Sequence, residues 1–400
     1  MKIFTFLIGL FFTSQIFAQY CPQLGPDITL PCNSNTTTLT ADLSQCQGNG
    51  LRQTNAYSIT DIPFAPINNT GTLVNLSDDS RTGPLNIGFT FCFFGNSYNQ
   101  FWIGSNGWVS FSPNQSTSFT SLPIPSNNIQ VPRNCIMGPW QDWNPGIGGQ
   151  IRYQTQGVAP CRRLVVSWTN VPFFSCTSTI GTFQIVIYET TNIIETHITN
   201  KPSCIQWAGG TAVHGIHNLA GNQAFAVPGR NSTQWTTTNE GKRWVPNGPL
   251  VVPIPTWYQV GNPVPIGTGL TINVTPGVYT CHLLYSTCGE PPHEICSQSG
   301  LGPDTIVVSP SINTILINSN LTNPTCFDGC DGQASISVIG GTPNYSYLWL
   351  PSNEITSSIS GLCSGNYTII VTDSNGCQSN LNIVINNPPP FIFNQIISHN

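Results

Sequence analysis

The chain is poor in charge. Only 7% of its 400 residues are Asp, Glu, Lys or Arg, against roughly 25% in an ordinary soluble domain. Three lysines, eight arginines and a net charge of −5 leave no basic stripe, so nucleic acid is excluded as an expected partner. No stretch reaches the roughly 20 consecutive apolar residues of a membrane helix, so no transmembrane segment is expected. Cys-x-x-Cys is absent, which removes a zinc ribbon or a thioredoxin-like site. Gly-x-Ser-x-Gly and His-Glu-x-x-His are absent too, and the sixteen acidic residues form no recognisable glycosidase pair. The reading is of a chain that is not an enzyme and needs no cofactor. With lysine this scarce, a Lys–Asn isopeptide staple is not expected either.

What is present points outward from the cell. Apolar residues make up 39% and aromatics 10%, enough for packed cores. The 37 glycines and 33 prolines predict many turns and little helix. Fifteen cysteines fit an oxidising compartment, and their odd number implies an unpaired thiol or an intermolecular bridge. Lys2 is followed by the apolar run Ile3–Phe12, and Ala18 precedes Gln19. That is the pattern of a secretory signal peptide over residues 1–18, so the expected location is secreted or on the outer cell surface.

Strand periodicity dominates the rest. Leu85–Pro113 reads as three strands, with Phe89, Phe91 and Phe93 alternating with Thr90, Cys92 and Phe94. Asn106-Gly107 predicts a tight type I′ hairpin, because both central residues of that turn need positive φ. Leu164, Val166 and Trp168 share one face, as do Phe183, Ile185 and Ile187; Thr190–Asn192 then turns the chain into Ile193–Ile198. Short strands joined by polar turns predict all-β architecture: a string of antiparallel β-sandwich modules stapled by disulfides. Residues 19–80 read as a leading strand and loops packed on the next unit, giving a first domain over 19–248 with its core at 81–248.

The ordered motifs FCFFGNSYNQFWIGSNGWVSF, IMGPWQDWNPGIGGQIRY, LVVSWTNVPFF and TFQIVIYET resemble the nidogen-type extracellular domain, a non-catalytic β module of adhesive proteins. Residues 249–309, with Trp257 and the run GTGLTINVTPGVYTCHLLYSTC, resemble a small immunoglobulin-like module with paired-looking cysteines. Residues 310–387 carry CFDGCDGQASISVIGGTPNYSYLW, ISGLCSGNYTIIVTDSNGC and LNIVI. These resemble the SprB-type repeat of large surface adhesins in gliding bacteria. Val307–Asn323 aligns with Ile383–Asn400 at a period of about 76 residues, so 388–400 reads as the start of a further repeat. Leu-Gly-Pro-Asp occurs twice, at Leu24–Asp27 and Leu301–Asp304, and reads as a turn leading into a strand.

Candidate sites are few. Trp140, Asp142 and Trp143 could stack on a sugar ring and accept its hydroxyl bonds, or could serve the core. His214 and His217 are the only close histidine pair, but positions i and i+3 of a strand face opposite sides. Asp328-Gly-Cys-Asp331-Gly resembles half of a calcium loop without its distal ligands; a disulfide-pinned turn is the expectation. Cys326, Cys330, Cys363 and Cys377 are expected to form two disulfides inside the repeat, with Cys326 to Cys363 or to Cys377 and the remaining two joined.

The resemblances imply an exported adhesin or structural spacer of the gliding-motility-associated type, using a type IX-like route. Its partners would be an extracellular surface, a polysaccharide or a protein ligand. The alternative is a set of carbohydrate-binding modules belonging to a secreted polysaccharide-degrading enzyme. The first test is of export: N-terminal sequencing of secreted material should begin at Gln19, and retained Met1 or Lys2 would remove the compartment argument.

Overall fold

In the computed structural model, residues 22–32, 34–44, 46, 50–294, 303–310 and 314–390 are described. The signal segment 1–18 and residues 391–400 of the expected further repeat lie outside the described residues. The described chain is almost entirely strand and turn; its one helical element is the 3-10 segment Ala208–Gly210. The architecture is all-β, in antiparallel sheets joined by disulfides, as the periodicity predicts.

Two compact units form instead of three. The larger spans residues 43–256 and 282–303 and contains two antiparallel sheets. A seven-stranded sheet runs in the spatial order Tyr57–Ile62, Thr237–Pro246, Ile194–Lys201, Ile180–Tyr188, Arg163–Pro172, Gln150–Gln156 and Thr72–Val74. A six-stranded sheet runs Ala224–Gln234, Thr211–His217, Cys135–Trp140, Trp108–Ser110, Asn96–Gly104 and Arg81–Phe93. The predicted alternation is the observed packing: Phe89, Phe91 and Phe93 meet Leu164, Val166, Trp168, Phe183, Ile185 and Ile187 in one core.

The hairpin at Asn106-Gly107 differs from expectation. Gly104 pairs with Trp108, so three residues, not two, make the loop. Only Gly107 has positive φ, at 84°, the form of a type I turn closed by a left-handed residue. The reason lies in Asn106. Its side chain is buried, donating to Asp79 Oδ1 (2.7 Å) and the Thr117 carbonyl (3.1 Å) while accepting from the Trp143 N–H (3.0 Å). Those three bonds tie the turn to three neighbouring segments.

The smaller unit comprises residues 23–42, 257–281 and 304–400. Its membership corrects the expected first domain, because residues 23–42 pair away from it. Ile28–Thr29 lies parallel to Val308–Ser309, and Thr37–Thr40 is antiparallel to Thr271–Val274. The duplicated tetrapeptide explains the first pairing. Asp304 accepts from the Leu24 N–H (3.0 Å), and Asp27 accepts from the Val307 N–H (2.9 Å). Asp27 of the first copy thus holds the strand that follows the second, while Asp304 of the second copy holds the first residue of the first copy.

In the repeat, two three-stranded sheets enclose Trp349, Ile369, Val371, Ile383 and Ile385. One contains Leu316–Thr322, Gly332–Ile339 and Ser358–Leu362; the other contains Ser346–Leu350, Gly365–Thr372 and Gln378–Ile385. The disulfide expectation is corrected here. Cys330 pairs with Cys363, but Cys377 pairs with Cys32, 345 residues away in sequence, and Cys326 is exposed and unpaired. Cys288 likewise bonds to Cys92 rather than inside the expected immunoglobulin-like module. Spacing along the chain carries no information about such partners, because the returning strand is what brings the two sulfurs together.

Alkylation of the folded, unreduced protein should label Cys326 and leave Cys330, Cys363 and Cys377 unlabelled, with Cys32 and Cys377 recovered in one cross-linked peptide. The double substitution Cys330→Ser, Cys363→Ser opens a loop with a sequence separation of 33. It should cost roughly 3–4 kcal/mol in the chain-entropy picture, read by denaturant unfolding.

Candidate functional site

The two indoles proposed for a sugar are core residues. Strand Cys135–Trp140 is buried on both faces. Trp140 packs with Trp108, Met137 and Val213, and its Nε1 donates to the Ser118 carbonyl (3.1 Å). Trp143 stacks near Phe173 and Phe183, with ring centroids at 4.4 and 5.6 Å, and its Nε1 donates to the Pro139 carbonyl (2.8 Å). Both are fully buried. The sugar-stacking role of Trp140 and Trp143 is therefore withdrawn: no ring face remains for a ligand.

Asp142 lies between them in sequence and does something else. It is 4% exposed, and its Oδ2 accepts from Trp207 Nε1 at 2.5 Å. Its Oδ1 is buried with no hydrogen-bond partner, as is Oδ1 of Asp78. One carboxylate oxygen from each of Asp78, Asp79 and Asp142 lies within 4.8 Å of the others. Burial pushes the Asp142 carboxyl up; the Trp207 bond opposes this; the nearby Asp79 and Asp78 charges add to it, and the group sits at about 7. Asp78 is raised as well, by burial and then by Asp79. Among the described residues none of the three forms an ion pair. Oxygen donors alone, as here, suit a hard cation.

Above this cluster is a patch the sequence reading missed. Trp207 lies 5.8 Å from Phe119 and 5.1 Å from Phe174 between ring centroids, and both phenylalanines are exposed. The Cys176–Cys204 disulfide ties the two loops, and the Phe174 N–H donates to the Asp142 carbonyl (3.2 Å). Aromatic loops have no periodicity to detect. The cysteines at 176 and 204 were the available signal.

The two histidines do not converge. His214 Nδ1 lies 3.3 Å from an Arg230 nitrogen, and its Nε2 lies 2.9 Å from the Thr196 hydroxyl. A guanidinium only donates, so Nδ1 accepts and the ring is neutral with its proton on Nε2. Burial, then Arg230 and Lys242, hold His214 well below its ordinary value. His217 instead faces the 126–132 segment, through the Pro132 carbonyl (2.9 Å) and the Ser126 N–H (3.3 Å). Asp331 takes the Thr325 N–H and hydroxyl, and Asp328 takes the Asn387 amide. Both carboxylates thus brace a turn pinned by Cys330.

Buried charge in the larger unit is paired elsewhere. Glu195 accepts from the Tyr188 hydroxyl (2.8 Å) and Arg243 Nε (2.7 Å), and His197 Nε2 lies 3.3 Å away. Burial pushes Glu195 up, but the His197, Tyr188 and Arg243 donors outweigh it and hold the carboxyl at about 2. Lys201 is fully buried, its Nζ donating to the Trp235 carbonyl (2.7 Å). Burial, then Arg230, bring Lys201 down to about 7.

Two family models match parts of the chain. Residues 56–250 match the family described as NIDO related, and residues 318–353 match the SprB repeat. No curated protein matches the chain. Among solved structures, an amphioxus IgVJ-C2 molecule aligns at 15% identity over 33% of this chain and 87% of that one, with a TM-score of 0.16. At that score the likeness carries no argument about fold. No described helix is long and apolar enough to cross a membrane. The two family matches support an adhesin-like surface protein.

Acid stability should show two windows. His214 is depressed, so its contribution is complete above about 6.5 and declines as pH falls below that value, where only the unfolded chain takes up the proton. Glu195 is also depressed, so its contribution is complete above about 4.5 and is lost as pH falls towards 2, at most about 3 kcal/mol. Denaturant unfolding of Glu195→Gln should be weaker than wild type at pH 7 and flatter between pH 4.5 and 2. Parallel curves in that window would contradict the assignment.

Proposed function

We propose that the chain is a non-catalytic, exported cell-surface protein of the gliding-motility-associated type, acting as an adhesin or a structural spacer. The observation that carries this reading is the combination in one chain of a NIDO-related sandwich and a SprB repeat. The disulfides suit the same location. Cys92–Cys288, Cys176–Cys204, Cys330–Cys363 and Cys32–Cys377 cross-link described segments of both units, as expected of a chain working in an oxidising medium with little charged surface. In this reading residues 1–18 direct export, and the NIDO-related and SprB-type portions serve adhesion or spacing outside the cell.

The carbohydrate-binding alternative loses the residues chosen for it, since Trp140 and Trp143 are core. Antibodies against residues 56–250 should label intact producing cells, and cells lacking the protein should attach less firmly and spread less on agar. Labelling only after permeabilisation would overturn the location. Hydrolysis of a polysaccharide or peptide by the purified chain, abolished by one Asp or Glu substitution, would overturn the non-catalytic role.

A further inference from the structure

The acidic cluster of the larger unit has features that a solvated acidic surface lacks. Asp142 is 4% exposed, and one of its oxygens has no partner. Asp78, on the turn before strand Arg81–Phe93, also holds a buried oxygen without a partner. A buried carboxylate oxygen without a donor is costly, and more so beside two like charges. The positions are fixed from several sides. Asp79 has φ of 43° and is held by Asn106 Nδ2 (2.7 Å). Asn106 in turn accepts from the Trp143 N–H, next in sequence to Asp142 (3.0 Å). The turn at 78–79 and the end of strand Cys135–Trp140 are thus bound through one buried amide.

We propose that Asp78, Asp79 and Asp142 form a calcium-binding site that anchors the Trp207 loop. Two oxygens each about 2.4 Å from one Ca²⁺ are at most about 4.8 Å apart, and the three carboxylates meet that limit. Mg²⁺ demands near-ideal octahedral geometry and gives up its water reluctantly, so a site of carboxylates from separate loops suits the more permissive Ca²⁺ better. Three carboxylates supply part of a shell of six to eight oxygens; carbonyls and water complete it. The ion takes up the two orphan oxygens and removes the mutual repulsion. It also keeps Asp142 ionised, so the bond from Trp207 Nε1 becomes a charge-assisted one. The exposed Phe119–Trp207–Phe174 patch then rests on a metal-braced base. This inference goes beyond the adhesive reading and does not depend on it.

Terbium is the probe, because it substitutes for calcium and is sensitised by a nearby indole, and Trp207 touches Asp142 directly. Tb³⁺ added to the calcium-stripped full chain should give saturable emission on tryptophan excitation. Ca²⁺ should displace it at millimolar concentration or below, with Mg²⁺ at least tenfold weaker. Asp79→Asn alters a residue at the surface and leaves the core intact; it should weaken binding at least tenfold. Asp142→Asn should bind no Tb³⁺ and should melt at the same temperature with or without calcium, whereas the wild type melts higher with it. Absence of sensitised emission, failure of Ca²⁺ to displace Tb³⁺, or an Asp79→Asn titration equal to wild type would each overturn the site.

Discussion

The larger unit depends on an aromatic seam between its two sheets. Trp168 stacks on Phe183 at 4.9 Å, and Trp143 reaches Phe173 and Phe183 from beyond the end of strand Cys135–Trp140. On the opposite sheet Phe91, Phe93 and Phe111 pack at 5.0–6.2 Å between centroids. These rings need room that only glycine leaves. A Cβ on Gly181 would lie 2.2 Å from Trp143, and one on Gly138 would lie 3.0 Å from Phe183. Positive φ and the Pro139 carbonyl impose the same demand on Gly107. Part of the glycine content that first reads as turn-forming is therefore core geometry.

Scarce charge makes the placement of each charge informative. Arg162 binds Glu189, Arg230 binds Glu240, and Arg243 binds Glu195. In these pairs the carboxylate is part-buried or buried and meets a guanidinium, whose fixed fork of donors satisfies several lone pairs at once. Asp78, Asp79 and Asp142 depart from that pattern. They lie beside one another instead of beside a base, and the unmet oxygens of Asp78 and Asp142 are what single them out.

The disulfides divide by the kind of closure they make. Cys176–Cys204 and Cys330–Cys363 have separations of 28 and 33 residues and pin local loops. Cys92–Cys288 and Cys32–Cys377 have separations of 196 and 345, and each returns a segment from far along the chain to a core formed elsewhere. The parallel pairing of Ile28–Thr29 with Val308–Ser309 belongs with the second kind.

Local order was legible in the amino-acid sequence because strand periodicity is local. The alternation of Phe89, Phe91 and Phe93, or of Leu164, Val166 and Trp168, states which side is buried without reference to any partner. The all-β class and the order of the family-like motifs rest on local information of that kind. Partnership did not. Whether Trp140 and Trp143 face solvent or core depends on what covers strand Cys135–Trp140 and the segment just after it, and that cover comes from distant segments. Cys377 pairs with Cys32 rather than Cys326, and Asp142 meets Asp78 and Asp79, because chain closure brings atoms together over separations on which hydrophobic periodicity has no hold. The sequence by itself determined how each strand would bury its face. Only the tertiary structure decided which buried groups would meet, since that is set by the packing of two sheets and not by any property of either strand alone.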